Sequence, residues 1–460
     1  MAGEIATKRI DEKIEELDEL AQNIWEHPEG PFHETYASQL VAEYMRREGF
    51  QVECGVGGVP TAIRAIWGNG HPVIGLLAEY DALPGLSQQV TDQKAPIVEG
   101  GYGHGCGHNL LAATTIGGAI GMKAEMEARN ISGTIVFYGC PAEEVLIGKP
   151  FMARGGCFQE LDLALAWHPS RVTRASAQGN CGCNGVKFHY TGVSAHAAFD
   201  PWNGRSALDA VSLLNMGVEF MREHLRPEVR IHYAITNGGT IPNIVPSSAS
   251  VWYYVRALKR DLVEDAYNRL IRVAEGAAMM TETQLQVEFL GGCYPRRDNH
   301  VLATVLDASL RRIEQEPWTK DEIDFARRLN MQSEQQWKKA IQDNGLSPAT
   351  QIYAGVAPIS EGYLFDSSDV GDVAHIVPTG FFYTATYHLG APGHSWQATA
   401  CAGSSIGRKG MHYGAKAMAM SGIRLMEDGE LRAKAQEEFL RDTGGREMYR
   451  CPIPAEMDIP

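Results

Sequence analysis

Cys106 and His108 stand two residues apart in Gly103-His104-Gly105-Cys106-Gly107-His108-Asn109, with glycine between them and an apolar run beyond. Thiolate and imidazole both suit zinc, manganese or a related divalent ion, and Gly105 and Gly107 permit backbone geometry that a side chain would obstruct. The pair alone does not decide the matter, because an isolated cysteine is usually a buried small hydrophobe. A phosphate cradle fits less well: Gly101, Gly103, Gly105 and Gly107 alternate strictly, and no Lys-Ser/Thr follows.

Further candidate donors stand at the ends of apolar runs. The uninterrupted run over 72–81 closes on Glu79-Tyr80-Asp81, the run over 133–140 leads through Pro141-Ala142 into Glu143-Glu144, and a shorter run over 161–167 stops at His168-Pro169. The first run, without polar interruption, predicts a central strand buried on both faces, and the other two predict further strands. The residues 110–128 predict a buried helix starting just after the Cys-x-His pair. Alternating strands and helices predict an open, mostly parallel α/β sheet, whose sites lie at the carboxyl edge of the strands. Asp81, Cys106, His108, Glu143, Glu144 and His168 all fall at such edges or in the loops beside them, which strengthens the metal reading. Adjacent carboxylates at a strand end make sense if one coordinates while the next reaches a water. By themselves they would equally suit a solvated helix start.

With 460 residues and 44% apolar content, the chain has ample material for more than one core. A net charge of −15 disfavours nucleic acid and anionic membrane as partners but does not exclude a small anionic substrate met by a local basic pocket. No run approaches the length of a membrane span, and the N-terminal 30 residues lack an apolar signal core. Ile10, Ile14, Leu17, Leu20, Ala21 and Ile24 recur there at helical spacing and predict an amphipathic surface helix. Nine cysteines without a secretory signal point to a reducing cytoplasm. Cys181-x-Cys183 lacks a second pair at zinc-site spacing and reads as structural.

From about Gly185 the texture changes. A strand, a helix over 206–223, strands over 230–235 and 250–256 and a helix over 262–278 follow the β-α-β-β-α-β order of a ferredoxin-like module inserted in the sheet domain. The expected division is 1–184 and 296–460 for a catalytic domain and 185–295 for a lid. The charged, helix-prone stretch 314–343 reads as a solvated excursion.

Taken together, Leu76 to Gln88, Gly103 to Asn109, Pro141 to Glu144, Trp167-His168-Pro169, Ser194-Ala195-His196-Ala197-Ala198, Ser367 to Val373 and Gly393-His394-Ser395-Trp396-Gln397 resemble the M20 metallopeptidase family in order and over nearly the whole chain. The resemblance implies two divalent metal ions, Zn or Mn, held by Cys106, His108, Glu144, His168 and His394. The residues alone do not single out His394 among fifteen histidines. The resemblance further implies Asp81 as the acid that orients a ligand or bridges near the metals, and Glu143 as general base. It makes the inserted module a lid through which two copies dimerise, with His196 donating to the oxyanion across the dimer and Asn243 and Arg256 holding the substrate carboxylate. A guanidinium fork suits that last task, although a strand-end ion pair would explain Arg256 equally well. Where the family runs into glycines after its second acid, this chain has Val145-Leu146-Ile147-Gly148, which should reshape the pocket there.

The expected activity is amide hydrolysis of an N-acyl amino acid, p-aminobenzoyl-glutamate foremost, with an aminoacylase or dipeptidase acting on another conjugate as the rival. A related partner subunit is a further expectation. A non-catalytic binding homologue is disfavoured because every expected ligand and the base are present. A nicotinamide or flavin oxidoreductase is disfavoured because no G-x-G-x-x-G stands at a strand-helix turn.

Overall fold

Every residue of the strand Val73–Glu79 is buried, as an apolar run without alternation requires, and it sits inside a sheet between two parallel neighbours. A computed structural model describes residues 3–460; Met1 and Ala2, the start of the N-terminal helix reading, lie outside the described residues. Gly133–Cys140, Val73–Glu79, Leu163–Ser170 and Thr379–Ala385 form the parallel centre of an eight-stranded sheet. Ile63–Asn69 joins one side antiparallel, followed by Gln51–Cys54, and Arg174–Gly179 joins the other, followed by Ser360–Tyr363. The expected α/β sheet is therefore present, with antiparallel strands at both margins.

The helix His108–Arg129 is buried nearly all round. Its small residues let neighbours approach closely: Gly117 and Gly121 face Ala415 and Ala419 of the helix Ser405–Glu427, and Gly118 faces Met418. The N-terminal amphipathic pattern forms two helices, Glu4–Glu12 and Ile14–Glu26, broken at Lys13. Ile10, Leu17, Leu20, Ala21 and Ile24 are all buried in the same core.

The chain divides into two compact units. The first holds Met1–Gln178, Arg297–Gly362 and Asp372–Pro460; the second holds Gly179–Arg296 and Tyr363–Gly371. In the second, Gly182–Thr191, Arg230–Asn237, Ser248–Ala257 and Gln284–Cys293 make an antiparallel sheet in which the first and third strands are central. The helices Ala207–Arg222 and Arg260–Thr281 pack on it, completing the ferredoxin-like order. Cys181 and Cys183 are both buried here as free thiols.

The stretch 314–343 is not a solvated excursion. It forms helices Lys320–Gln332, started by a Thr319/Glu322 capping box, and Glu334–Asp343. Ala326, Leu329 and Asn330 are fully buried. The charge density of the segment reports only its outer face. On its inner face the Asn330 amide donates to the Gln351 carbonyl at 3.0 Å, and its oxygen accepts from the Gly390 N–H at 2.8 Å and lies 2.8 Å from His388 Nδ1. It thereby braces the segment leading to His394.

Candidate metal centre

The strand Val73–Glu79 delivers Glu79 and, two residues on, Asp81 to the carboxyl edge of the sheet, where both carboxylates are buried. Helix His108–Arg129 begins beside them. Gly107 precedes it with φ +76°, and a Cβ there would meet the Tyr387 hydroxyl and the Pro169 ring, so glycine is required on both counts. The His108 ring is fully buried with Nδ1 2.9 Å from Asp81 Oδ1 and 3.1 Å from the Asp81 carbonyl. Two acceptors at Nδ1 hold a proton there and turn Nε2 into the site, where it can coordinate once the ring gives up its second proton. His168 is disposed alike: Nδ1 lies 2.8 Å from the Pro169 carbonyl and Nε2 lies 3.2 Å from Cys106 Sγ. His104, the other imidazole of the motif, turns instead toward the Ile24 carbonyl in the core, where burial lowers its pKa to about 3.

The acid pair is held by its backbone. Ala142 (φ 58°) and Leu146 (φ 63°) adopt left-handed conformations on either side of the turn Glu143–Val145. Such conformations persist in non-glycine residues only where the surroundings impose them. The Ala142 N–H donates to Glu34 Oε1 at 2.9 Å and the Glu144 N–H to Asp81 Oδ2 at 2.8 Å, so buried carboxylates grip the turn at two points. Gly148 closes it: a Cβ there would lie 1.7 Å from the Pro141 carbonyl oxygen. The bulky residues Val145-Leu146-Ile147 are therefore compatible with the turn, and Val145 is exposed beside it.

Glu143 Oε2 and Glu144 Oε1 come within 3.9 and 4.0 Å of His108 Nε2, and Glu144 Oε2 lies 3.6 Å from His394 Nε2. His394 has φ +48° and an exposed side chain. Three overlapping donor groups result, each with its atoms within 4.8 Å of one another: Cys106, His108 and His168; Cys106, Glu144 and His394; and Glu79, His108 and Glu143.

The electrostatics are those of a site built for cations. Burial, opposed by His108 and reinforced by Asp81 and Glu79, pushes the Glu144 carboxyl up to about 8. Burial and the Glu144 carboxylate push the Cys106 thiol up. Burial would likewise raise Asp81 and Glu79, but His108 outweighs it at Asp81, and Lys149 with His108 outweighs it at Glu79, so both stay below the usual carboxylate range. His108 Nε2 and Glu144 Oε1 are buried without a hydrogen-bond partner. A buried ring nitrogen and a buried carboxylate oxygen left without partners, a thiol and two further imidazoles make a mixed donor set that fits divalent ions of borderline softness.

Of the residues singled out from the sequence, Asp81, Cys106, His108, Glu143, Glu144, His168 and His394 are brought together. Glu79, Glu34, Lys149 and Tyr387 were not singled out. Glu79 stood in view two residues before Asp81, and Lys149 stood close after Glu144 with no local sign of a buried partner; Glu34 and Tyr387 are too far along the chain for spacing to reveal. In the second unit, His196 and Asn243 adjoin through a bridge between His196 and Ile244 and a bond from the Ala197 N–H to the Asn243 carbonyl at 3.0 Å. Arg256 does not join them. It pairs with Cys183 and Arg230 near the far end of the strand Ser248–Ala257, where its guanidinium donates to Ser367 Oγ at 2.8 Å and its Nε is buried without a hydrogen-bond partner.

Residues 178–279 match the peptidase dimerisation domain of the M20 family. The chain is 38% identical to the B subunit of p-aminobenzoyl-glutamate hydrolase from Escherichia coli (strain K12), over 97% of each chain. It is 29% identical to the Xaa-Arg dipeptidase of Mus musculus, over 95% of this chain and 94% of that one. A solved dinuclear metal-binding peptidase of the M20 family from Bacillus subtilis shares the fold with a TM-score of 0.58 at 16% identity, covering 91% of this chain and 99% of that one. No helix among the described residues is long and apolar enough to cross a membrane. Full-length similarity, a matching dimerisation domain and a clustered thiol, imidazole and carboxylate donor set agree: the chain belongs to the M20 family of metal-dependent peptidases and amidohydrolases.

Proposed function

We propose that the protein hydrolyses the amide bond of an N-acyl amino acid, with p-aminobenzoyl-glutamate the foremost substrate. The observation that carries this reading is the convergence of Cys106, His108, Glu144, His168 and His394 beside Glu143 in a chain 38% identical, end to end, to the B subunit of p-aminobenzoyl-glutamate hydrolase. The five donors would hold two divalent ions, zinc or manganese, which when bound supply Lewis acidity to the scissile carbonyl and to the attacking water. Glu143 takes the proton of that water and returns it to the leaving amine. Asp81 fixes the tautomer and orientation of His108 through Nδ1 and anchors the acid turn through the Glu144 N–H.

In the second unit His196 serves as oxyanion donor. Its Nδ1 accepts from the Ala198 and Phe199 N–H groups at 3.2 and 3.0 Å, so in the neutral ring Nε2 carries the proton, on an exposed side chain. Asn243 and Arg256 bind the substrate carboxylate. The Arg256 fork, steadied by Ser367 and with its Nε–H unsatisfied, retains a donor for that task. Two copies associate through the second unit, and a related partner is compatible with the naming of two relatives as the A and B subunits of one hydrolase.

The test is metal analysis of protein purified without chelator, followed by assay against a panel of N-acyl amino acids. Fewer than two equivalents of metal with no amide hydrolysis would reject the proposal. A second reading, a dipeptidase, has a specific observation in its favour, the 29% identity to an Xaa-Arg dipeptidase over nearly the full chain. The same panel, with basic dipeptides included, separates the two.

Cys106 should resist alkylation in the metal-loaded protein and react after chelation, because coordination neutralises and shields the thiolate. Mass spectrometry of labelled peptides reads this directly, and equal labelling in both states would remove Cys106 from the ligand set.

Arg256→Lys should raise KM for substrates with a free carboxylate by about tenfold, the effect of losing about 1.4 kcal/mol of charge-assisted hydrogen bonding. The corresponding amides or esters should change much less. Equal effects on both substrate types would make Arg256 a structural residue.

A further inference from the structure

Lys149 follows Glu144 by five residues, at the start of the helix Gly148–Arg154, and none of it is exposed to solvent. Lysine is almost never buried to this degree unless paired. Its Nζ lies 2.6 Å from Glu79 Oε1, and the other oxygen of that carboxylate, Oε2, lies 3.4 Å from His108 Nε2. That nitrogen is the one turned into the site by the Asp81 bonds at Nδ1. Glu79 also shares a group of mutually close donor atoms with His108 and Glu143.

Core stability alone gives little reason for such an arrangement. Desolvating a lysine and a glutamate offsets most of their attraction, and apolar residues of like volume commonly serve as well. Charge balance gives a reason. With two divalent ions bound, Glu79, Asp81, Glu143 and Glu144 as carboxylates and Cys106 as thiolate would bring five negative charges together. Two divalent ions leave one unmatched, and the Lys149 ammonium, fixed 2.6 Å from Glu79, matches it. The left-handed turn at Leu146 and the contact of Gly148 with Pro141 bring the chain into a helix buried from Gly148 to Ala153, with Lys149 inside it.

We propose that Glu79 is a positioning residue of the metal centre: Lys149 holds one carboxylate oxygen so that the other faces the ion on the His108 side and sets how tightly that position is filled. The inference rests on the dinuclear reading above and goes beyond it, since Glu79 and Lys149 belong to neither the ligand set nor the base.

The test is Co²⁺ titration of metal-free protein, followed by calorimetry and by the d–d absorption of the bound ion. The variants are Glu79→Gln, which keeps an acceptor for the Lys149 ammonium, and the charge-neutral double variant Glu79→Gln/Lys149→Met. Both should show native circular dichroism. Both should bind one of two Co²⁺ ions about tenfold or more weakly, the usual cost of removing a group that orients a metal site, with an altered d–d spectrum. Wild-type affinity and spectrum in the double variant would reduce the pair to an interchangeable core strut and overturn the proposal. Loss of folding in both variants would also overturn it, by assigning the pair to stability. Failure of the wild-type protein to bind two ions would be a different result, ending the dinuclear reading itself.

Discussion

Glu143→Gln should keep its metal and its fold while kcat falls roughly 10²- to 10⁴-fold, the usual contribution of a positioned general base. The amide retains the size of the side chain, and the Ala142 and Glu144 N–H contacts that hold the turn do not involve the Glu143 carboxylate. On the proposed role, what the change removes is the proton acceptor. Glu144→Gln is the necessary partner experiment. Glu144 reaches toward His108 with one oxygen and His394 with the other, so its amide should lose metal as well as activity. Atomic emission analysis of both variants beside their kinetics decides the matter. Comparable metal loss in the two would mean that the roles of these neighbours are reversed.

The second large effect concerns the mixing of protomers. His196 and Asn243 lie together at one end of the second unit's sheet, while Arg256 stands eight residues along the strand from Ser248, about 26 Å at ~3.3 Å per residue. One small substrate cannot touch both ends of the same sheet. If all three residues meet it, they come from two copies. Glu143→Ala lacks the base but has a sound His196, and His196→Ala has the reverse, so each homodimer should be nearly inactive. Unfolding and refolding an equal mixture gives about half mixed dimers under random pairing, each with one site holding both groups. Recovery should then approach about a quarter of wild-type sites. If His196 serves its own protomer, no site recovers both groups and activity stays at the background of the separate variants.

Periodicity reveals what repeats, and most of the sheet repeats. The segments at 73–79 and 133–140 are central strands, rich in apolar residues and buried along their whole length, and the acids at or just beyond their ends mark the carboxyl edge. Cys106 and His108 are visible as a pair because glycines isolate them. His394 is not, because its only local signature is Pro392-Gly393, common to many exposed turns. Nor is Lys149: a single lysine after Val145-Leu146-Ile147 reads as the end of an apolar patch, and only the fold shows the buried carboxylate that receives it. The helices after Thr319 mislead in the opposite direction. Fifteen of the 23 positions in them are charged or polar, and the buried residues are Glu322, Ala326, Leu329, Asn330 and Ala340, two of them polar, so no apolar stripe registers.

The order of strands in the large sheet bears on how the protein is made. Thr379–Ala385 lies between Leu163–Ser170 and Arg174–Gly179, so a strand synthesised late fills a gap between two made some two hundred residues earlier. During translation the early strands must wait with unpaired edges, whereas most of the second unit, Gly179–Arg296, emerges as one uninterrupted stretch with a core of its own. Strand edges left unpaired for that long are open to wrong pairing with other chains, and contacts so distant in sequence close slowly. A nascent chain stopped short of residue 379 therefore has a gap at the centre of its catalytic sheet and lacks His394. A released fragment of that kind is expected to be aggregation-prone and unable to assemble the full donor set.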